Sequence, residues 1–418
     1  MKKVRVNRSK LEGEVTVSGA KNSSLRLLAA TLLTQEEVVL TNVPTGILDF
    51  QIHVDMLEVL GKKVIAGSHI ARIKEGTLGN VLEWNQRSIR NTLLILGALL
   101  TRTGYGKVPL PGGCKLGERK YDLHVMAMEQ MGAKVWEEEE YLVAQSDGRL
   151  TGAEIRLPFR STGATENSII MAVLAKGQTQ IWNPHIRPEI LDLISMLRRM
   201  GANIRVNGQE SIVVDGVESL YGMEYSCVPD NMEALTFAIA AAVTGGEVEI
   251  HNFPLEHLEI PMIYLRESGL RYYISEDRCS IIVKNSNVYP IEIATGPYPS
   301  LNSDMQPLFA VYGLTAQGES KIIDLRFPGR YQYALELNKM GAKTTTDGDM
   351  LIINGGYSLR GTTVTALDLR AGAALMLAGM VAEGETVIEH FEQVERGYEN
   401  IIEKMSSLGG KIIGISRA

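Results

Sequence analysis

The segment Pro109-Leu-Pro-Gly-Gly-Cys-Lys-Leu-Gly-Glu-Arg-Lys-Tyr-Asp-Leu-His124 places a thiol among cations. Its prolines and adjacent glycines break helix and strand, so the stretch reads as a loop with defined bends. Cys114 has Lys115, Arg119 and Lys120 nearby. Positive charge close to a thiol favours the thiolate and makes it reactive. By composition alone, an exposed loop with an incidental cysteine fits equally well.

A second set of charges recurs where apolar helices begin. These starts are Gly19-Ala-Lys21-Asn22, Arg87-Ser-Ile-Arg90, Arg160-Ser161-Thr162-Gly163, Pro229-Asp230-Asn231, Asn302-Ser303-Asp304 and Asp368-Leu-Arg370. Asp, Asn and Ser have an ordinary role there as N-caps. Lys and Arg do not, because a cation at a helix N-terminus opposes the helix dipole. Lys21, Arg90 and Arg370 therefore call for an anion, either a carboxylate or a ligand. Helix N-termini combined with cations suit phosphates and carboxylates. Arg326-Phe-Pro-Gly-Arg330 and Glu395-Arg396-Gly-Tyr398 add basic groups, and Pro297-Tyr-Pro-Ser-Leu-Asn-Ser-Asp304 delivers an acid from a turn-rich entry. Any one of these arginines reads equally as half of a surface ion pair.

A repeat positions these groups. An amphipathic stretch ending in glycine recurs at Gly61, Gly132, Gly201, Gly269, Gly341 and Gly409, with spacings of 71, 69, 68, 72 and 68 residues. Glycine at a helix C′ position takes the left-handed conformation without steric cost. A second signature has the same period: a helix-length segment apolar nearly all round, as in Asn91–Thr101, Met232–Thr244 and Arg370–Ala382. Such a helix is buried. Runs such as Val38-Val-Leu, Glu247-Val-Glu-Ile and Lys321-Ile-Ile supply strands. Six units predict an α/β fold of two domains, each of three repeats, with helices in the middle and sheets outside; a six-unit solenoid has the same periodicity.

The chain has 418 residues, 45% hydrophobic and 22% charged, with a net charge of −7. That balance argues against nucleic acid as the main partner. The longest apolar runs, Leu93–Leu100 and Ala238–Val243, fall far short of the ~20 residues needed to span a bilayer. Three widely spaced cysteines show neither a zinc pattern nor a disulfide framework, as expected of a cytoplasmic protein with no membrane insertion.

Taken together, the motifs resemble those of bacterial UDP-N-acetylglucosamine 1-carboxyvinyltransferases, within the enolpyruvyl transferase family. The resemblance rests on Ser18-Gly-Ala-Lys-Asn22, Leu110-Pro-Gly-Gly-Cys114 with Arg119 and Asp122-Leu-His124, and Ser161-Thr-Gly-Ala-Thr-Glu-Asn167. Pro297-Tyr-Pro with Asp304-Met-Gln306, Asp368-Leu-Arg370 and Arg396-Gly-Tyr398 complete it, in order along the chain. It implies a two-domain inside-out α/β barrel. Residues 1–20 and 230–418 would form a C-terminal domain that includes the N-terminal strand, and residues 21–229 an N-terminal domain carrying the cysteine loop 109–124.

The activity implied is transfer of enolpyruvate from phosphoenolpyruvate to the 3′-hydroxyl of UDP-N-acetylglucosamine, with loss of phosphate from a tetrahedral intermediate, in peptidoglycan precursor synthesis. Carried over residue by residue, Cys114 is the general acid and Asp304 the base. Lys21, Arg119 and Arg396 hold phosphoenolpyruvate, with Arg330, Asp368 and Arg370 in support. Asn22, Arg90, Ser161, Thr162 and Gly163 contact the sugar nucleotide, with Arg119, Asp122 and His124 around the uridine. No cofactor and no metal is implied. The chain departs from the family pattern at Arg26, where proline is usual, at Arg160, at Lys120-Tyr121, and at Pro328-Gly329 before Arg330. Transfer to another nucleotide or nucleotide sugar, and a catalytically silent ligand-binding paralogue, are the alternatives. Fosfomycin, an epoxide that alkylates the loop cysteine of this family, is predicted to modify Cys114 and to spare Cys227 and Cys279. Peptide mapping checks this; equal labelling of all three would remove the case for a reactive Cys114.

Overall fold

The computed structural model describes residues 2–111 and 121–415. Two compact units emerge, Met1–Ser18 with Pro229–Ala418, and Gly19–Val228. Each has its own apolar core. Among the described residues there are six sheets, three in each unit. They are separate hydrogen-bonded sheets, so the expected barrel is not closed by a continuous ladder.

One repeat shows the plan. Strand Glu154–Arg156 leads through helix Thr162–Ala172 to the parallel strand Gln178–Trp182. A parallel pair needs such a crossover, because a tight turn joins only antiparallel strands. Helix Pro188–Arg199 then leads to the antiparallel strands Asn203–Asn207 and Ser211–Asp215. The unit from Glu292 to Gly355 repeats this order.

The crossover helices are the buried ones. In helix Asn231–Val243 every residue from Met232 to Ala242 is buried, and in helix Leu369–Val381 every residue from Arg370 to Met380. The second helix of each repeat is amphipathic and ends at the recurring glycine. All six of those glycines have positive φ, between 87° and 105°. At Gly61 a side chain is excluded twice over: φ is +91°, and a Cβ would lie 1.9 Å from the Thr77 carbonyl oxygen.

Four copies deviate. Strand Glu12–Thr16 pairs in parallel with Glu247–His251, while Met223–Ser226 pairs in parallel with Val38–Thr41. The chain therefore leaves one repeat after its first strand and returns to it more than 200 residues later. Strand Lys3–Asn7 fills the inner position between Glu385–Glu389 and Lys411–Ile415. The sheet containing Tyr105–Pro109 lacks a full parallel edge strand; a single bridge, Val81 to Lys107, stands in its place. Lys107 donates to Asn80 and accepts from Leu82. The next donor in a parallel ladder would be residue 109, a proline without an N–H, so the ladder stops.

Asn91, at the start of helix Thr92–Thr103, joins two neighbours: its Nδ2 donates to the Leu25 carbonyl at 2.7 Å and to His53 Nδ1 at 3.3 Å. His53 is fully buried, and its Nε2 has no hydrogen-bond partner among the described residues. Burial, reinforced by the charge of Arg26, lowers its pKa to about 3. The unfolded imidazole titrates near 6.5, so below that pH the unfolded chain binds the extra proton. The stabilisation is complete above pH 6.5 and is lost as pH falls towards 3. Between pH 7 and 4.5 the protein should lose about 3 kcal/mol more than a His53→Met variant. Urea unfolding at both pH values checks this; parallel pH slopes would refute it.

Candidate active site

Within the unit Gly19–Val228, Lys21 opens helix Lys21–Ala30, which has neither a side-chain cap nor an acid in its first turn. Its Nζ lies 2.6 Å from Asp49 Oδ2, and both side chains are buried. Asp49 belongs to the first turn of helix Leu48–Val59, where the dipole favours a carboxylate. The anion that Lys21 demands is thus supplied in part by the protein itself. Asn22 follows in the same helical turn, half-buried.

Ser161 caps helix Thr162–Ala172 by accepting from the Ala164 amide. Thr162 Oγ1 bonds to His185 Nδ1 at 2.8 Å. His124, in helix Asp122–Gln130, is buried, and its Nδ1 accepts from Asn167 Nδ2 at 3.1 Å. That bond leaves the proton on Nε2, which faces Gly163 so closely that a Cβ there would lie 2.9 Å away. Burial, and next the charge of Arg90, lower the His124 pKa to about 3, so the ring is neutral at pH 7. Arg90, His124, Thr162 and Gly163 therefore form one group. Asp122 is exposed in the first turn of its own helix.

The other unit builds a charge cluster around Asp304. Arg330 Nη1 donates to Asp304 Oδ1 at 3.1 Å, and its Nη2 to Asp368 Oδ2 at 3.2 Å. Arg370 Nε lies 3.7 Å from Asp304 Oδ2. Asp368 also caps helix Leu369–Val381, its Oδ1 accepting from the Arg370 and Ala371 amides. Arg370 is 3% exposed, and its guanidinium lies 5.2 Å from the centre of the Tyr398 ring. Burial works against the guanidinium charge, but Tyr398, Asp304 and Asp230 outweigh it and raise the pKa. Asp230 caps its own helix, accepting from the Met232 and Glu233 amides. Arg396 is buried, and its Nη1 donates to Gln393 Oε1 at 3.4 Å. Asp304 is not a cap: the N-cap of helix Gln306–Thr315 is Met305. Its carboxylate is held by two arginines and remains 31% exposed.

Cys114 and Arg119 lie outside the described residues. Of the other cysteines, Cys227 is buried and Cys279 exposed, so Cys279 serves as the accessible reference thiol in labelling. Glu14, Glu249 and His251 have ligand atoms within 4.8 Å of one another on an exposed sheet face; they are not among the residues assigned to the reaction.

The profile described as EPSP synthase (3-phosphoshikimate 1-carboxyvinyltransferase) matches residues 6–405. The chain belongs to this family. It is 39% identical over 406 residues to the UDP-N-acetylglucosamine 1-carboxyvinyltransferase of Aeromonas hydrophila, covering 97% of each chain. It is 40% identical over 412 residues to the UDP-N-acetylglucosamine 1-carboxyvinyltransferase 2 of Carboxydothermus hydrogenoformans, covering 98% of each. The crystal structure of the enolpyruvyl transferase NikO from Streptomyces tendae superposes with a TM-score of 0.89 at 22% identity over the whole of both chains, which establishes the fold.

Against this enolpyruvyl transferase background, the structure adds pairings that the sequence did not show. Asp49 neutralises Lys21, and Tyr398, named in the sequence only as part of the Arg396-Gly-Tyr398 motif, lies beside Arg370. Arg26, visible only as a departure from the family pattern, is half-buried and forms an ion pair with the buried Glu166. Nothing local marks Asp49, an acid in the first turn of an amphipathic helix. Asp304→Asn removes a proton acceptor without removing a cap. Turnover should fall roughly 10²–10⁴-fold, the usual worth of a general base, when measured at a temperature where the variant is folded. Retained turnover with a lowered Tm would make Asp304 a structural residue.

Proposed function

We infer that the chain transfers the enolpyruvyl group of phosphoenolpyruvate to the 3′-hydroxyl of UDP-N-acetylglucosamine, releasing phosphate, as a step of peptidoglycan precursor synthesis in the cytoplasm. The observation that carries this reading is near-40% identity, end to end, with enzymes named for that reaction. The motifs Lys21-Asn22, Asp304, Asp368-Leu-Arg370 and Arg396-Gly-Tyr398 are present along that same span. Among the described residues no helix is long and apolar enough to cross a membrane.

The chemistry assigns a task to each group. Attack of the hydroxyl oxygen on C2 of phosphoenolpyruvate forms a C–O bond and requires a proton to leave the hydroxyl. Asp304, held as a carboxylate by Arg330 and Arg370, takes that proton. A proton must reach C3, and Cys114 delivers it. Phosphate then leaves from C2 as a proton is lost from C3, restoring the double bond. Lys21, Arg119 and Arg396 bind the phosphate and carboxylate of phosphoenolpyruvate and the charge that builds on them. Asn22, Arg90, Ser161, Thr162 and Gly163 take the acceptor, with Asp122 and His124 near its uridine. A neutral His124 offers its Nε2 proton as a donor at any pH well above 3.

Phosphate release and product mass should be measured with phosphoenolpyruvate and a panel of UDP-N-acetylglucosamine, UDP-glucose, UMP and shikimate 3-phosphate. UDP-N-acetylglucosamine is expected to give stoichiometric phosphate and a product carrying one added enolpyruvyl group. Turnover confined to another nucleotide would replace the acceptor, and no turnover with any acceptor would sink the reaction itself.

A further inference from the structure

Arg26 and Glu166 have no role in the reaction as described, yet both are drawn into the interior beside residues that do. Arg26 stands one helical turn after Asn22, and Glu166 one turn after Thr162. Its Nε donates to Glu166 Oε1 at 2.8 Å, and its Nη1 to the Asn22 carbonyl at 2.6 Å. In an α-helix that carbonyl is already the acceptor for the backbone N–H of residue 26, so backbone and side chain of one residue grip the same peptide unit. Glu166 is 1% exposed. Burial raises its pKa, and Arg26 is the strongest opposing influence. Glu189, buried near Glu166, is itself paired with Arg187 at 2.7 Å, so it is not a competing partner for Arg26.

The two helices joined in this way rest mainly on other elements. Lys21–Ala30 packs on Pro188–Arg199, and Thr162–Ala172 packs on Thr92–Thr103. In the second contact Gly97 leaves room for Asn167: a Cβ there would lie 2.0 Å from its Oδ1. Each helix is therefore fixed mainly against its own neighbour, and the charge pair spans the distance between their second turns.

We propose that the Arg26–Glu166 ion pair is a spacer that sets the separation between Asn22 and the Thr162–Gly163 turn, and so positions the acceptor substrate. The proposal rests on the reading that these turns hold the acceptor. Both are positioning residues: neither needs to touch the substrate. A buried ion pair contributes little net stability relative to apolar packing but is costly to break, which suits a fixed-length strut better than a source of stability.

The test shortens the strut while keeping its charges. Glu166→Asp retains the carboxylate but withdraws it by one methylene; Arg26→Lys retains the cation but loses the second arm that grips Asn22. Each variant, with Asn22→Ala as the reference, is compared with the native enzyme by KM for UDP-N-acetylglucosamine, KM for phosphoenolpyruvate and Tm. A spacer predicts that Glu166→Asp and Arg26→Lys raise the acceptor KM about tenfold, as small misplacements of binding groups do, while the phosphoenolpyruvate KM stays within about twofold. A purely structural pair would lower Tm and leave both KM values where they were. If Asn22→Ala raises the acceptor KM and the two strut variants do not, the spacer is overturned and the site assignment stands. If no acceptor is turned over by the native enzyme, the functional reading has failed first.

Discussion

Charge placed at the start of a buried helix is the constraint around which this chain is arranged. Moving a cation out of water costs several kcal/mol unless a partner meets it, and a helix N-terminus adds its own unfavourable field. Lys21 and Arg370 both violate the ordinary preference, and both are answered: Lys21 by Asp49, Arg370 by Asp304 and the nearby Asp230. The carboxylates hold these cations in place at the helix starts, Lys21 against Asp49, and Arg330 and Arg370 against Asp304 and Asp368. The surrounding fold serves this placement. Six glycine-terminated repeats supply helices apolar enough to be buried, and their first turns supply the charges.

What was legible in the sequence follows from how local each signal is. The recurring glycines mark helix ends through their own backbone geometry, so the repeat could be read directly. Asp230 and Asp368 could be read as caps because a cap acts two or three residues away. Asp304 looked like a third cap, but the N-cap is the next residue, Met305, which leaves the Asp304 carboxylate to Arg330. Pairings between distant segments were out of reach. Asp49 looks like any helix-start acid, and Glu166 lies 140 residues from Arg26. Periodicity was equally silent on which strand fills which sheet. It could not show that Glu12–Thr16 and Met223–Ser226 occupy each other's expected places after the chain crosses between units.

Departures from the repeat concentrate where function has a claim. The incomplete edge beside Tyr105–Pro109 arises from Pro109, the residue that also begins the cysteine-bearing stretch. A proline there ends the parallel ladder on one side, while on the other Pro109 still pairs with Tyr141. Arg26 and Glu166 are a departure of another kind, a charge pair joining two buried crossover helices beside the Arg187–Glu189 pair. Such pairs persist in folded proteins where a defined geometry matters more than the stability that hydrophobic replacements would give.

The inner position of Lys3–Asn7, between strands contributed by the last part of the chain, has a consequence for biosynthesis. The span 19–228 is continuous and has its three sheets in hand once residue 228 has left the ribosome. Strand Lys3–Asn7 has no such opportunity. Val4 and Val6, both fully buried in the finished protein, have no strand to pair with until Glu385–Glu389 has been made, and their second neighbour, Lys411–Ile415, comes later still. This early segment is thus among the last to find its place.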